Sequence, residues 1–169
     1  VEIMGFTIQN GGDFPYCGIF IADGDNVIVS NNTIRNNAYG IELFFRSNGN
    51  KVFDNMIINN FWAGVYVHEY SNKNTFNDNT IAYNSIGVLI ASSNAYFNIF
   101  YHNNLINNIN QAFDFGNGTI WDDGYPCGGN YWSDYNGTDF YSGPYQNETG
   151  SDGIGDTPIR GDRYPLMDP

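Results

Sequence analysis

The feature that most limits what this chain can fold into is a repeat of about 24 residues. Phe6-Thr7-Ile8, Asn32-Thr33-Ile34, Asn55-Met56-Ile57, Asn79-Thr80-Ile81 and Asn104-Leu105-Ile106 recur with their final Ile spaced by 26, 23, 24 and 25 residues. A second series runs Gly18-Ile19-Phe20-Ile21, Gly40-Ile41-Glu42-Leu43, Gly64-Val65-Tyr66-Val67, Gly87-Val88-Leu89-Ile90 and Ala112-Phe113-Asp114-Phe115. Asn26, Asn50, Asn74 and Asn98 keep a constant step of 24. Within each repeat, apolar residues alternate over a few positions and stop at Asn, Gly or Ser, which predicts short strands, tight turns and no helix. The repeat is too short for a propeller blade and lacks the Leu-rich consensus of a horseshoe, so the expected fold is an all-β solenoid, a parallel β-helix of about five coils.

Stacking like on like places Ile19, Ile41, Val65, Val88 and Phe113 in one inward column, and Ile21, Leu43, Val67, Ile90 and Phe115 in the next. Asn32, Asn55, Asn79 and Asn104 are expected at corners, where Asn tolerates the left-handed conformation and its amide can bond to neighbouring coils. The period stops near Gly116, and the composition shifts to Gly, Tyr, Trp and Asp. Residues 1–115 therefore read as repeats and 116–169 as an irregular cap over the last coil, with Trp121, Tyr131, Trp132, Tyr135 and Tyr164 closing the column.

A length of 169 residues suits one domain. Six basic residues against 18 acidic ones give a net charge of -12, which disfavours nucleic acid as a partner. No apolar stretch approaches the roughly 18 residues of a membrane-spanning helix, so insertion in a membrane is not expected. The start at Val1, without an initiator Met or a basic n-region, reads as a processed or excised segment. Cys17 and Cys127 stand apart with no CxxC, against zinc and in favour of one disulfide or two thiols.

The run Trp121-Asp122-Asp123-Gly124-Tyr125-Pro126-Cys127-Gly128-Gly129-Asn130-Tyr131-Trp132-Ser133-Asp134-Tyr135, with Gly150-Ser151-Asp152-Gly153-Ile154-Gly155-Asp156-Thr157-Pro158 and Asp162-Arg163-Tyr164-Pro165-Leu166-Met167, resembles the C-terminal tail of NosD-like right-handed β-helix proteins. The resemblance spans nearly the whole chain and implies a right-handed coil and an extracellular or cell-surface setting of archaeal type. For NosD itself it implies help in building the copper centre of nitrous oxide reductase in the periplasm. Copper handling calls for clustered soft ligands, whereas Met4, Met56, Met167, His68 and His102 fall at unrelated phases of the repeat. Cys127 stands where the family looks small and polar, which suggests oxidation of Cys17 and Cys127, within one chain or from the tail of one copy to the first coil of the next.

Catalysis has little support in the residues. The basic side chains are scattered, the Asp-Pro-His, Asn-Thr-Asp and Gly-His-Gly motifs of β-helix epimerases and polygalacturonases are missing, and Glu42 and Asp114 would face outward about 14 Å apart, too far for a hydrolytic pair. Two readings remain: a non-catalytic structural surface module, or a polysaccharide-binding or polysaccharide-modifying domain using an outward aromatic stripe of Phe20, Phe44, Tyr66 and Tyr70. The same rings could instead pack against the tail or a neighbouring subunit. Asp152 and Asp156, four apart around glycines, with Asp134 or Asp139, could hold Ca2+ or form a solvated acidic turn. Asn31, Asn117, Asn136 and Asn147 stand in glycosylation sequons. Val1–Ile8 is in phase with 27–34, so the first strand is expected to start uncapped and to stack end to end, either on further copies in a filament or surface layer or on coils missing from this segment.

Overall fold

In a computed structural model the chain is described in full over residues 1–12 and 16–169, and over 13–15 in its backbone alone. Among the described residues there is no helix. One face of the solenoid is a five-stranded parallel sheet of β1 (Glu2–Met4), β3 (Ile28–Ser30), β5 (Lys51–Phe53), β8 (Thr75–Asn77) and β11 (Ile99–Tyr101). The long strands β2 (Thr7–Ala22) and β4 (Thr33–Phe44) bend across the other two faces. One of these continues with β6 (Met56–Ile58), β9 (Thr80–Ala82), β12 (Asn104–Ile106) and β14 (Tyr131–Trp132), and the other with β7 (Ala63–Val67), β10 (Ile86–Ile90) and β13 (Asn110–Asp114). Every contact between coils is parallel, the signature of a β-helix.

Inside, like stacks on like. Ile8, Ile34, Ile57, Ile81, Leu105 and Trp132 share a column, as do Ile3, Val29, Val52, Phe76 and Phe100. Phe76 and Phe100 stack with centroids 4.4 Å apart, and Trp121 continues the stack at 4.7 Å. The tail thus extends the column before it covers it: Trp121 and Trp132 are buried, whereas Tyr131, Tyr135 and Tyr164 are half-buried. Beyond, β15 (Tyr141–Ser142) and β16 (Glu148–Thr149) form an antiparallel pair.

Three buried asparagine ladders fix the corners. Asn32, Asn55, Asn79, Asn103 and Asn130 form one, Asn37, Asn60, Asn84 and Asn108 the second, and Asn50, Asn74 and Asn98 the third. In each, the backbone N–H of one Asn donates to the side-chain Oδ1 of the next at 2.9–3.2 Å. The residue before every ladder Asn except Asn130 turns left-handed, for example Asn31 at φ 53°, Asp54 and Asp78 at φ 55°, and Tyr83 at φ 56°. The first ladder terminates on a carboxylate: Asn130 N donates to Asp162 Oδ2 at 2.7 Å and Trp132 Nε1 to the same oxygen at 2.8 Å.

Register corrects the sequence alignment in the fifth coil and at one first-coil corner. Val88 pairs with Ala112, Leu89 with Phe113 and Ile90 with Asp114, so Phe113 and Phe115 do not extend the inward columns but lie exposed. Asp114 ends an inward column, where its carboxylate accepts Trp121 Nε1 at 3.0 Å. Likewise Leu105, not Ile106, is the inward residue, Asn103, not Asn104, is the ladder Asn, and Val27, not Asn26, aligns with Asn50. These slips fall at Asn doublets or at an Asn beside an apolar residue, where a one-residue shift leaves the letter pattern almost intact but reverses every side chain.

Candidate functional site

The outward surface of the β2, β4 and β7 face carries the densest chemistry. Ladder pairing sets Phe20, Glu42, Tyr66 and Leu89 side by side on successive coils, with Cys17 beside Tyr39 and Ala22 beside Phe44. Ring contacts run from Phe20 to Phe44 (5.7 Å), Phe44 to Phe45 (6.5 Å) and Phe45 to Tyr70 (5.8 Å). His68 joins this row to a second one, lying 4.8 Å from Phe44 and 4.2 Å from Tyr66, which is 5.0 Å from Tyr39. The four rings expected to share a stripe, Phe20, Phe44, Tyr66 and Tyr70, therefore belong to one patch, linked through Phe45 and His68. Phe20, Phe44, Phe45 and Tyr70 are exposed.

Glu42 lies at its centre, its side chain only 9% exposed. Cys17 Sγ donates to Glu42 Oε2 at 2.6 Å, and His68 Nε2 stands 3.2 Å from Glu42 Oε1. Burial, then the hydrogen bond to Glu42 and its charge, push the Cys17 thiol up to about 12. Burial and the same carboxylate raise the Tyr66 phenol as well. Tyr16, Cys17, Phe20, Glu42 and Phe44 line an open cleft of about 440 Å³. In the sequence His68 stands out only as a residue at an unrelated phase of the repeat. Its role emerges only when coils two and three are set in register.

The cysteines are not joined. Cys17 lies on the first coil, whereas the Cys127 carbonyl accepts from or faces His102 Nε2 at 2.9 Å beside the fifth, and no disulfide links them within the chain. Four coils, roughly 20 Å at strand spacing, separate them.

The acidic residues of the tail are each given separate partners. Asp139 accepts the amides of Asp152 (3.1 Å) and Gly153 (2.9 Å), and Asp156 accepts Thr138 Oγ1 and the amides of Phe140 and Tyr141. Asp152 accepts Ile154 N and Gln146 Nε2, while Asp134 forms a two-pronged pair with Arg160 at 3.0 and 2.7 Å. Among the described residues no three His, Cys, Asp or Glu side chains converge to hold a metal. Asn31, Asn117, Asn136 and Asn147 are all exposed.

The family model described as "Periplasmic copper-binding protein (NosD)" matches residues 10–137, about three quarters of the chain. The chain belongs to the NosD family. No curated protein and no solved structure matches it. Membership places this NosD-family chain on the envelope side, outside the cytoplasm. Among the described residues the soft donors do not gather into a copper centre. Met4 and Met56 stand in different columns and Met167 lies in the tail, while Cys17 keeps its proton toward Glu42.

Proposed function

We propose that this NosD-family chain is a non-catalytic envelope module that holds a saccharide against the aromatic surface over β2, β4 and β7. The observation carrying this reading is continuity: Phe20, Phe44, Phe45 and Tyr70 form an unbroken, exposed row of rings, with a carboxylate, an imidazole and two phenols set among them. Sugars present apolar C–H faces and hydroxyl edges, so rings for stacking and fixed polar groups for orientation are the matching chemistry. Hydrolysis would ask for a second carboxylate near Glu42. Asp114, the outward acid expected from sequence, ends a column three coils away and is engaged by Trp121.

A glycan array followed by calorimetry on the best ligand tests this. Phe44→Ala should weaken binding about two- to tenfold, the scale of a lost stacking contact, while leaving the thermal midpoint nearly unchanged. Failure to bind any glycan, or binding indifferent to Phe44, would leave the rings as a packing surface.

The first coil favours a second, compatible reading, stacking of copies end to end. Among the described residues β1 pairs only with β3 and β2 only with β4, so the far side of that coil presents unpaired backbone groups beside the partly buried Ile3 and Ile8. An edge of this kind accepts a further rung, from adjoining chain or from another copy.

A further inference from the structure

The cleft at the head of the aromatic row has a composition that selects among sugars. Its walls are Tyr16, Phe20 and Phe44, and its floor is Glu42 and Cys17. The thiol donates to Glu42 Oε2, and His68 occupies the side of Oε1, so each oxygen keeps lone-pair capacity for one more donor. Cys17 contributes no positive charge. Arg46 is stacked on Phe45 at 4.9 Å and is not among the residues lining the cleft. The chain as a whole carries -12.

A carboxylate at the base of aromatic walls is the chemistry that receives an organic cation. The ring faces attract positive charge, and the anion pairs with it. The same floor repels a uronate. The cleft volume of about 440 Å³ lies within the range of small-ligand sites and accommodates one pyranose ring. Successive coils repeat at about 4.8 Å, close to the advance of an extended glycan per sugar, so a chain laid along the axis can set one ring in the cleft and the following ones over Phe45 and Tyr70.

We infer that the Glu42 cleft is an amino-sugar subsite, taking the ammonium group of a free hexosamine residue at the Glu42 carboxylate, beside the contacting rings of Phe20 and Phe44. This rests on the saccharide reading of the aromatic row and names the class of glycan. The ammonium donates to the Glu42 carboxylate, and the flanking rings cover its C–H face. Acetylation removes the charge and thickens the substituent, and a uronic acid places like charges together.

The test is calorimetric titration of the unmodified protein with tetramers of glucosamine, N-acetylglucosamine and galacturonic acid, at low and at raised salt. The expected order is free amine tightest, the acetylated tetramer at least tenfold weaker, and no binding of the uronate. Raised salt should weaken only the free amine. Glu42→Gln should abolish the preference for the amine, and circular dichroism of that variant checks that the coil is intact. Equal affinity for the amine and its acetylated form, or preference for the uronate, overturns the amino-sugar subsite and leaves the aromatic row as a saccharide surface. No binding of any tetramer overturns the subsite alone, and no binding of any glycan on the array removes both.

Discussion

Cys17 and Asp162 show how placement changes ordinary side chains. With its thiol pushed up to about 12 by burial and by Glu42, Cys17 stays protonated at neutral pH, whereas Cys127 is exposed. Iodoacetamide at pH 8 should therefore modify Cys127 well before Cys17, as mass spectrometry of a time course would read. Equal rates would mean that the Glu42 contact does not hold the thiol. Asp162 is buried, and desolvation lifts its carboxyl to about 6, against the bonds it accepts from Asn130, Trp132 and Tyr164. Its folded value lies above its unfolded one, so its contribution to stability is complete below about pH 4 and is lost as pH rises through 6, at most about 3 kcal/mol in size. Asp122 runs the other way. Burial alone would raise it, but Arg163 and the Gly124 amide hold it low, so its contribution is present above about pH 4 and falls away in acid. Thermal midpoints should therefore rise from pH 7 to 5 in the native chain, and Asp162→Asn should flatten that limb while leaving the acid limb in place.

At the scale of elements, the corners hold the coils together. In the first ladder Asn79 Oδ1 accepts both the N–H and the Nδ2 of Asn55, while its own Nδ2 reaches the Val52 carbonyl. Asn79→Ala leaves the buried Asn55 N–H without its acceptor, while Asn55 Nδ2 keeps the Val29 and Phe53 carbonyls, and should cost about 1–3 kcal/mol. Asn59 is a useful comparison, being exposed and left-handed at φ 54°, so Asn59→Gly should change little. Urea unfolding of the two variants side by side separates the ladder from mere corner position. The glycine column beside the second ladder sets another limit. A Cβ on Gly40 would meet the Gly64 carbonyl oxygen and Ile57 Cγ2 at 2.5 Å each, because the neighbouring coil passes too close for any side chain. Gly40→Ala should accordingly be among the most damaging single-methyl changes in the molecule, by chemical denaturation.

At the scale of the whole molecule, the two ends of the solenoid differ. The C-terminal end is covered: Trp121 and Trp132 lie over the last coil, and Asp162 terminates an amide ladder that would otherwise end on open donors. Among the described residues, β1 and β2 of the first coil pair only with β3 and β4. This chain, prepared as it stands, should self-associate with rising concentration in light scattering, and charged substitutions at Ile3 and Ile8 should suppress the association. A monomer at all concentrations would remove end-to-end stacking as an activity of this segment. A disulfide between copies has weak geometric support, since Cys17 points into the Glu42 cleft on the side of the coil and not along its axis.

The repeat by itself determined the solenoid, its approximate coil number, the aliphatic columns of the middle coils and the existence of corner asparagines, because stacking identical residues is the only way such short strands can bury an apolar face. The aromatic stripe was legible too, as outward positions of one strand series. Tertiary structure alone decided the register where the letters are degenerate. Asn103-Asn104 offers two adjacent candidates for one ladder, and the choice between Ala112 and Phe113 follows from which side chain meets Val88. It also decided that Asp139, Asp152 and Asp156 bind amides within the tail and that Glu42, His68 and Cys17 meet. These last three lie 25 and 26 residues apart along the chain. Their contact depends on how each coil is offset over its neighbour, a quantity set by packing and hydrogen bonding between coils and carried by no local pattern of residues.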